Sequence, residues 1–355
     1  MKICFVVRSL FSQIPTYTTT HLAYEAHRRG HEVFYTTLNS FSCTDDMRVQ
    51  ATAASSEGLE FFHRLDFLRA LQSGLAPKKE VCLSDFDVVF LRYNPNENET
   101  EKEKGKNPSI EFGRLLKLQG VMVVNDPGGL TKASSKMYLS AFPSEYRAQT
   151  LITRSAVKIK SFLRDLKGPA IIKPLNGFGG QDVFFVKNLK DININQIISS
   201  VSKNGYVMAQ EYLPAVKKGD KRILLLNGYP IFAGKQPALY LRVSPKGEIR
   251  SNMHIGGRRK KAKLTVSDLK IIEAIRPRLN ADGLYFVGID IVGDKLLEVN
   301  VFCPGGVNNI NELYGINVGR VVIQDLERQV RFRKTGQLRN NLRLLKSKKA
   351  DWVAQ

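Results

Sequence analysis

The chain has 355 residues, of which 43% are hydrophobic, with four cysteines and a formal net charge of +21. This length supports a sizeable core and predicts two or three folding units. No stretch approaches the roughly eighteen consecutive apolar residues that a membrane span needs, and the N-terminus has no export signal, so we expect a cytoplasmic protein. The cysteines stand far apart without a Cys-x-x-Cys pair, which argues against a disulfide framework or a zinc site.

The positive charge is concentrated in two segments. Residues 258–263, RRKKAK, contain five basic side chains, and the chain from Arg320 onward adds ten more. Such charge indicates an anionic partner, which could be nucleic acid, a membrane surface or a phosphate-bearing small molecule. Because aromatic residues hardly interleave with the basic ones, we expect a solvated face or a phosphorylated substrate more than a nucleic acid.

The first third of the chain alternates between strand and helix patterns. Apolar runs predict four strands, KICFVV, HEVFYTT, FDVVFLR and VMVVND. A helix, TTHLAYEAHRRG, is predicted between the first two strands, and another, SIEFGRLLKLQG, between the last two. This alternation predicts an α/β domain with a parallel sheet at residues 1–126. No Gly-x-Gly-x-x-Gly follows the first strand, so dinucleotide binding is not indicated there.

After Pro127 the pattern changes to hairpins and predicts an α+β fold with two antiparallel sheets. Helices are predicted in SSKMYLSAF, RSAVKIKSFLRDL, TVSDLKIIEAIRPRLNADG and GRVVIQDLERQVRF. We divide this part into subdomains at 127–208 and 209–335 and a basic tail, helical or loose, at 336–355.

A glycine cluster lies at the tip of one predicted hairpin, IIKPLNGFGGQDVFFV at 171–186. A Walker-type phosphate loop is followed by a helix, whereas a strand follows this cluster. Its glycines leave backbone amides unobstructed, but by itself the segment favours an ordinary turn over a phosphate site.

A second hairpin places acidic residues together. A three-residue turn, Gly293 to Lys295, pairs residue 292 with 296 and Asp290 with Glu298, and Asn300 shares their face. Two opposed carboxylates destabilise a sheet unless a cation lies near them. Carboxylate and amide oxygens suit magnesium, with nucleotide phosphates completing the shell, so this hairpin predicts a metal site.

Together these segments resemble the ATP-grasp superfamily, and within it the prokaryotic glutathione synthetases. The resemblance is carried, in the family's order, by MKICFVV, EAHRRGHEVFY, FDVVFLR, VVNDPGGLTKASSKMYLSAFP, IIKPLNGFGG, MAQEYLPAVKKGDKRILLLNGYPI, IRSNMHIGG and LYFVGIDIVGDKLLEVN. It implies a ligase that phosphorylates a carboxylate with ATP and lets an amine attack the acyl phosphate. The implied reaction joins γ-glutamylcysteine to glycine and releases glutathione, ADP and phosphate.

The resemblance also implies roles for individual residues. It implies an ATP site, with phosphate contacts, a glycine flap, an adenine border and a ribose contact, at Lys136, Lys173, Gly177, Gly179, Gly180, Glu211, Tyr212, Leu213 and Asp220. It implies catalytic roles for Arg222, Arg242 and Asn252, and Mg²⁺ or Mn²⁺ ligation by Asp290, Glu298 and Asn300. Phosphoryl transfer needs positive charge around the phosphate oxygens and little covalent chemistry from the protein, which these residues fit.

The sequence departs from the family pattern where substrate recognition is expected. Arg8 and Asn94 replace acidic residues, Gly305 replaces a threonine and Asn308 replaces an arginine that can clamp a carboxylate. The substrates, small amino acids or peptides, therefore rest on similarity alone. A ligase of the ribosomal-protein glutamate ligase type, suggested by LYGINVGRVVIQDLERQV, is one alternative. A non-catalytic ATP- or nucleic-acid-binding protein is another, and a homo-oligomer is compatible with either.

Overall fold

The computed structural model describes residues 1–95, 107–166, 168–175, 182–203, 205–245 and 257–353, with side chains up to residue 336. The strands are β1 (Lys2–Val7), β2 (Glu32–Cys43), β3 (Val49–Ser55), β4 (Lys78–Cys82), β5 (Val88–Leu91), β6 (Met122–Val124), β7 (Thr150–Thr153), β8 (Ala170–Pro174), β9 (Phe184–Val186), β10 (Val207–Glu211), β11 (Asp220–Leu226), β12 (Tyr229–Pro230), β13 (Phe232–Ala233), β14 (Gln236–Pro237), β15 (Leu239–Val243), β16 (Arg258–Lys260), β17 (Phe286–Val292) and β18 (Lys295–Asn300). The helices are α1 (Thr18–Arg28), α2 (Arg64–Ser73), α3 (Pro108–Leu118), α4 (Pro127–Lys132), α5 (Ala156–Asp165), α6 (Ile194–Ser202), α7 (Val266–Ala281), α8 (Val307–Tyr314) and α9 (Val318–Val353).

The N-terminal sheet has the strand order β4-β3-β2-β1-β5-β6. Strands β2, β1, β5 and β6 are parallel, as the strand-helix alternation predicts, and β3 and β4 extend the sheet as antiparallel strands. The central strand β1 is buried along almost its whole length, and the ring of Phe5 stacks on those of Tyr35 and Phe90. The α/β prediction for this part of the chain is confirmed.

The second sheet is antiparallel throughout, in the order β7-β10-β8-β9. Helices α5 and α6 bury their apolar faces against it through Ile159, Leu163 and Ile198. The predicted subdomain division at residue 208 falls inside β10, a strand of this second sheet. The division stays a prediction.

The third sheet is also antiparallel, in the order β16-β15-β11-β17-β18, and β12 pairs with β11. Strand β17 is buried at every residue because β11 and β18 flank it and α7 supplies Ile271, Ile272 and Ile275 to the same core. A strand buried on both faces holds its side chains in fixed positions. This sheet, together with the second, confirms the antiparallel α+β prediction.

The hairpin of β17 and β18 differs in one detail from the prediction. Its turn has two residues, so Val292 pairs with Lys295 and not with residue 296. A β-bulge then shifts the register and brings Asp290 opposite Glu298, as predicted. Gly293 has a φ of 61°, which the first position of a type II′ turn requires.

Other elements also differ from the predictions. The segment SSKMYLSAF forms a short 3-10 helix, Lys136–Ala141, in place of an α-helix. The strands β3, β4, β7, β14, β15 and β16 and the helices α2, α4, α6 and α8 were not predicted, whereas α9 continues as a helix through the basic tail to Val353. Within the described residues, no helix combines the length and apolarity that crossing a membrane requires.

Candidate active site

Four charged side chains of the third sheet form one buried network. Strand β11 contributes Asp220 and Arg222, β15 contributes Arg242, and β17 contributes Asp290. The register places Asp220 opposite Arg242 and Arg222 opposite Asp290, so alternate residues of β11 face both partners. Arg222 donates two hydrogen bonds to the carboxylate of Asp290, and the one from Nη2 to Oδ2 is 2.8 Å long.

Arg242 links the two carboxylates. It forms a bidentate pair with Asp220, and its Nη2 also lies 2.8 Å from Oδ2 of Asp290. All four side chains are at most 9% exposed. Burial by itself would raise the pKa of Asp290, but the guanidiniums of Arg222 and Arg242 outweigh it and hold that pKa well below its usual range. The network therefore stays fully charged at physiological pH.

Glu298 and Asn300 lie beside this network on β18. Asn300 Nδ2 donates to Oδ2 of Asp290 at 3.2 Å, and both β18 side chains line a cavity that opens to solvent. Asp290 is enclosed by arginines, whereas Glu298 faces the cavity, so the two carboxylates have different surroundings. Among the described residues, no group of three or more His, Cys, Asp or Glu side chains is arranged to hold a metal.

Two lysines approach Glu298 from the second sheet and its neighbouring segment. Lys173 lies on β8 and donates to Oε1 of Gln210 at 3.0 Å, while Lys136 begins the 3-10 helix and lines the same cavity as Glu298. Burial, reinforced by the charge of Lys136, lowers the pKa of Lys173 to about 8, and Glu298 opposes this effect. Burial also lowers the pKa of Lys136. Two desolvated ammonium groups near one carboxylate form a favourable site for an anion with several charges.

The predicted adenine border connects the second and third sheets. Glu211 ends β10 and accepts from the backbone of Gln149, and the rings of Tyr212 and Phe185 form a T-shaped pair with 4.9 Å between their centroids. Leu213 precedes the short 3-10 helix Pro214–Lys218. The predicted ribose contact, Asp220, has its carboxylate engaged by Arg242. Four predicted site residues lie outside the described part of the chain, namely Gly177, Gly179, Gly180 and Asn252.

The residues on the N-terminal side of the network were only partly predicted. Arg92, which is 5% exposed, donates to Thr19 Oγ1 at 3.0 Å and to the carbonyl of Pro304 at 3.3 Å. His21 Nε2 lies 3.0 Å from Oδ1 of Asn308, a contact across 287 positions of sequence that no local pattern could have indicated.

His21 is held in one protonation state. Arg64 Nη1 donates to its Nδ1 at 3.0 Å, so Nε2 carries the proton and donates to Asn308. Burial, assisted by the charge of Arg64, lowers the pKa of His21 to about 4. Asn308 in turn donates to Glu312 at 2.9 Å. The amide of Asn308 therefore has protein partners on both its oxygen and its nitrogen.

Known protein families match most of the chain. The N-terminal domain of prokaryotic glutathione synthetase matches residues 1–131, and the ATP-grasp domain of prokaryotic glutathione synthetase matches residues 135–315. The glutathione synthetase of Vibrio cholerae is 33% identical over 312 residues, covering 86% of this chain and 91% of that protein. The glutathione synthetase of Thermosynechococcus vestitus is 42% identical over 248 residues, covering 67% of this chain and 75% of that protein.

Solved structures support the same fold. The crystal structure of D-cycloserine synthetase DcsG aligns with a TM-score of 0.60 at 13% identity and covers 91% of this chain and 99% of its own. At that identity the likeness shows the fold alone, and this fold is the one that the sequence resemblance implied. With both family domains matched along the chain, the protein belongs to the prokaryotic glutathione synthetase family and is an ATP-grasp, ATP-dependent ligase that forms C–N bonds.

Proposed function

We propose that this ligase joins γ-glutamylcysteine to glycine through an acyl phosphate formed with ATP. The substrates are taken from the name shared by its relatives, and the observation that carries the chemistry is the pair of buried guanidiniums, Arg222 and Arg242, anchored on Asp290. The pair lies beside a cavity that contains Lys136 and Glu298. Preorganised cations of this kind stabilise the charge of a transferring phosphoryl group at no reorganisation cost.

The two lysines are proposed to hold the ATP phosphates. Both lysines are desolvated, and the charge of Lys136 helps to lower the pKa of Lys173. A bound polyanion would offset the repulsion between the two ammonium groups. Arg222 and Arg242 are proposed to face the γ-phosphate and the acyl phosphate. In this role Asp290 and Asp220 orient the guanidiniums, because each arginine is fixed by bidentate contacts.

The residues proposed for magnesium fit the ion in part. Glu298 and Asn300 provide hard oxygen atoms at the cavity wall, which suits Mg²⁺ together with phosphate oxygens. Both oxygens of Asp290 accept hydrogen bonds from arginines. Asp290 could therefore bind Mg²⁺ only if one of its oxygens gave up a contact with an arginine. A bound Mg²⁺ would neutralise charge on the phosphate oxygens during transfer.

The remaining predicted residues are assigned by the resemblance. Glu211, Tyr212 and Leu213 are proposed to border the adenine, since they lie on the connection between the second and third sheets. The glycine turn and Asn252 keep their proposed flap and catalytic roles. The proposed division at residues 126, 208 and 335 and the cytoplasmic location belong to this proposal as well.

One observation favours a second substrate class. Strand β16, with Arg258, Arg259 and Lys260, pairs with β15 directly beside Arg242. Arg259 also contacts Asn309 and Glu312 on α8. A basic strand next to the buried arginine–aspartate network would attract an acidic peptide, as expected for a ligase of the ribosomal-protein glutamate ligase type.

The deciding experiment incubates the purified protein with ATP, Mg²⁺ and pairs of candidate carboxylates and amines. ADP release and product mass are measured for each pair. We expect ADP and glutathione from γ-glutamylcysteine with glycine. ADP release only with acidic peptides would favour the second class. No ADP with any pair, together with salt-sensitive nucleic-acid binding, would indicate a binding protein that has lost turnover.

A further inference from the structure

We infer that Asn125 is the positioning residue that sets the geometry of the β17–β18 hairpin and thereby of its proposed metal ligands. The inference rests on the proposed role of Glu298 and Asn300. Asn125 lies directly after β6, on the edge strand of the N-terminal sheet, and is 2% exposed. It follows a strand of the N-terminal sheet, whereas the side chains that it would position belong to the third sheet.

The side chain of Asn125 bridges the open end of the hairpin. Its Nδ2 donates to the carbonyl of Phe286 at 2.8 Å and to that of Val301 at 2.6 Å, and its Oδ1 accepts from the backbone N–H of Phe286 at 2.7 Å. The paired register of β17 and β18 ends at Gly288 opposite Asn300. Phe286 and Val301 therefore lie just beyond the last backbone pair, where the asparagine amide connects the two strands.

This bridge acts on the residues that face the cavity. Val301 follows Asn300 directly, so fixing the backbone of Val301 also fixes the end of β18. Asn300 and Glu298 are alternate residues of that strand and share one face, so both side chains are oriented together. At its other end the hairpin is held by its two-residue turn. A strand pair fastened at both ends keeps its side chains at one separation, and outer contacts that orient ligands usually tune metal affinity.

No other residue type fits the position equally well. The bridge needs two donors and one acceptor on a short planar group, which the asparagine amide supplies. Aspartate keeps the acceptor for the N–H of Phe286 but presents an oxygen to the carbonyls of Phe286 and Val301. The change therefore loosens the hairpin while preserving side-chain size.

The test compares Asn125→Asp with Thr36→Val. Thr36 is also 2% exposed and donates to a main-chain carbonyl, that of Thr52 at 2.8 Å, but inside the N-terminal sheet away from the hairpin. For Asn125→Asp we expect the Mg²⁺ concentration at half-maximal ATP turnover to rise by about tenfold or more. The KM for ATP at saturating Mg²⁺ should stay close to the wild-type value. Thr36→Val should lower the melting temperature without moving the Mg²⁺ dependence.

A second readout avoids turnover. Mn²⁺ binding in the presence of a non-hydrolysable ATP analogue, followed by electron paramagnetic resonance, should weaken in Asn125→Asp by a factor similar to the Mg²⁺ shift. Asn125→Ser gives the same comparison where the aspartate variant does not yield folded protein. Wild-type protein that binds Mn²⁺ with an affinity equal to that of the variant would overturn the positioning role. Wild-type protein that binds no Mn²⁺ would instead refute the proposed metal site.

Discussion

The two sides of the candidate site are built from different interactions. The proposed phosphate side, on β11, β15 and β17, holds two arginines and two aspartates in a buried ion network, in which every charge has an opposite partner. The proposed acceptor side, between α1 and α8, centres on a neutral histidine and an amide, His21 and Asn308, which also hydrogen-bond to Arg64 and Glu312. The first set of side chains therefore keeps its charges in the folded protein, whereas the central imidazole and amide of the second set are neutral.

The same contrast separates the residues that match the family pattern from those that depart from it. Arg222, Arg242, Asp290, Glu298 and Asn300 stand where the family resemblance implies, and they come together in space. On the proposed acceptor side, the amide of Asn308 has two protein partners and stands where the resemblance implies an arginine. This difference leads us to propose that ATP use and substrate choice depend on separable parts of the molecule.

The largest expected effect comes from breaking the ion network. Asp290→Asn leaves Arg222 and Arg242 buried without that charge, which should lower the free energy of unfolding by about 3–5 kcal/mol and abolish ATP turnover. Chemical denaturation and an ADP-release assay measure the two effects. Asp268→Asn is the matched control, because Asp268 is 1% exposed and paired with Lys221 outside the network. Asp268→Asn should lower stability, but its folded fraction should keep the wild-type ATP turnover. Equal turnover in Asp290→Asn and Asp268→Asn would contradict the proposed role of the ion network.

The second-largest effect distinguishes the role of Glu298 from that of Asp290, the other carboxylate of the hairpin. Glu298→Gln should reduce kcat by about 10²-fold or more, because the proposed charge at the metal and phosphates is removed. Its stability should change little, since Glu298 lines an open cavity and lies outside the arginine network. Steady-state kinetics with thermal unfolding distinguishes it from Asp290→Asn. Unchanged turnover in Glu298→Gln would show that the magnesium assignment is wrong.

A smaller effect concerns pH on the phosphate side. The pKa of Lys173 is about 8, so its positive charge is present below that pH and is lost as the pH rises through it. We expect ATP affinity to weaken above pH 8 by up to about tenfold per pH unit. Lys173→Arg stays charged over this range and should flatten the dependence. Calorimetric titration with ATP from pH 6.5 to 9.5 provides the test, and equal slopes for the two proteins would refute the role of Lys173.

The smallest effect lies on the acceptor side. The pKa of folded His21 is lowered from 6.5 to about 4, so below pH 6.5 the unfolded chain takes up a proton that the folded chain excludes. Stability contributed by neutral His21 is therefore complete above pH 6.5 and falls as the pH drops toward 4, by about 1–3 kcal/mol. His21→Gln should reduce this acid loss, measured by denaturation at each pH, and should leave the KM for ATP unchanged. An identical acid profile would exclude His21 as the source.

Much of the fold could be predicted from local pattern. The strand-helix alternation before Pro127 predicted a parallel sheet, and the hairpin patterns after it predicted antiparallel sheets, both of which the structure confirms. The antiparallel strands β3 and β4 were not predicted, since their stretch carries little apolar periodicity. The hairpin turn was one residue shorter than predicted, because a bulge compensates within the strand and leaves the Asp290–Glu298 pairing intact.

The sequence by itself determined the kinds of residue available and their spacing along β11, β15, β17 and β18, because strand periodicity places alternate side chains on one face. It also carried the family resemblance, since whole motifs recur in order. Tertiary structure decided which charges meet. The arginines enclosing Asp290, the lysine whose charge lowers the pKa of Lys173, and the contact of His21 with Asn308 join residues from separate elements. Such contacts depend on how sheets and helices pack, and no local pattern encodes that distance.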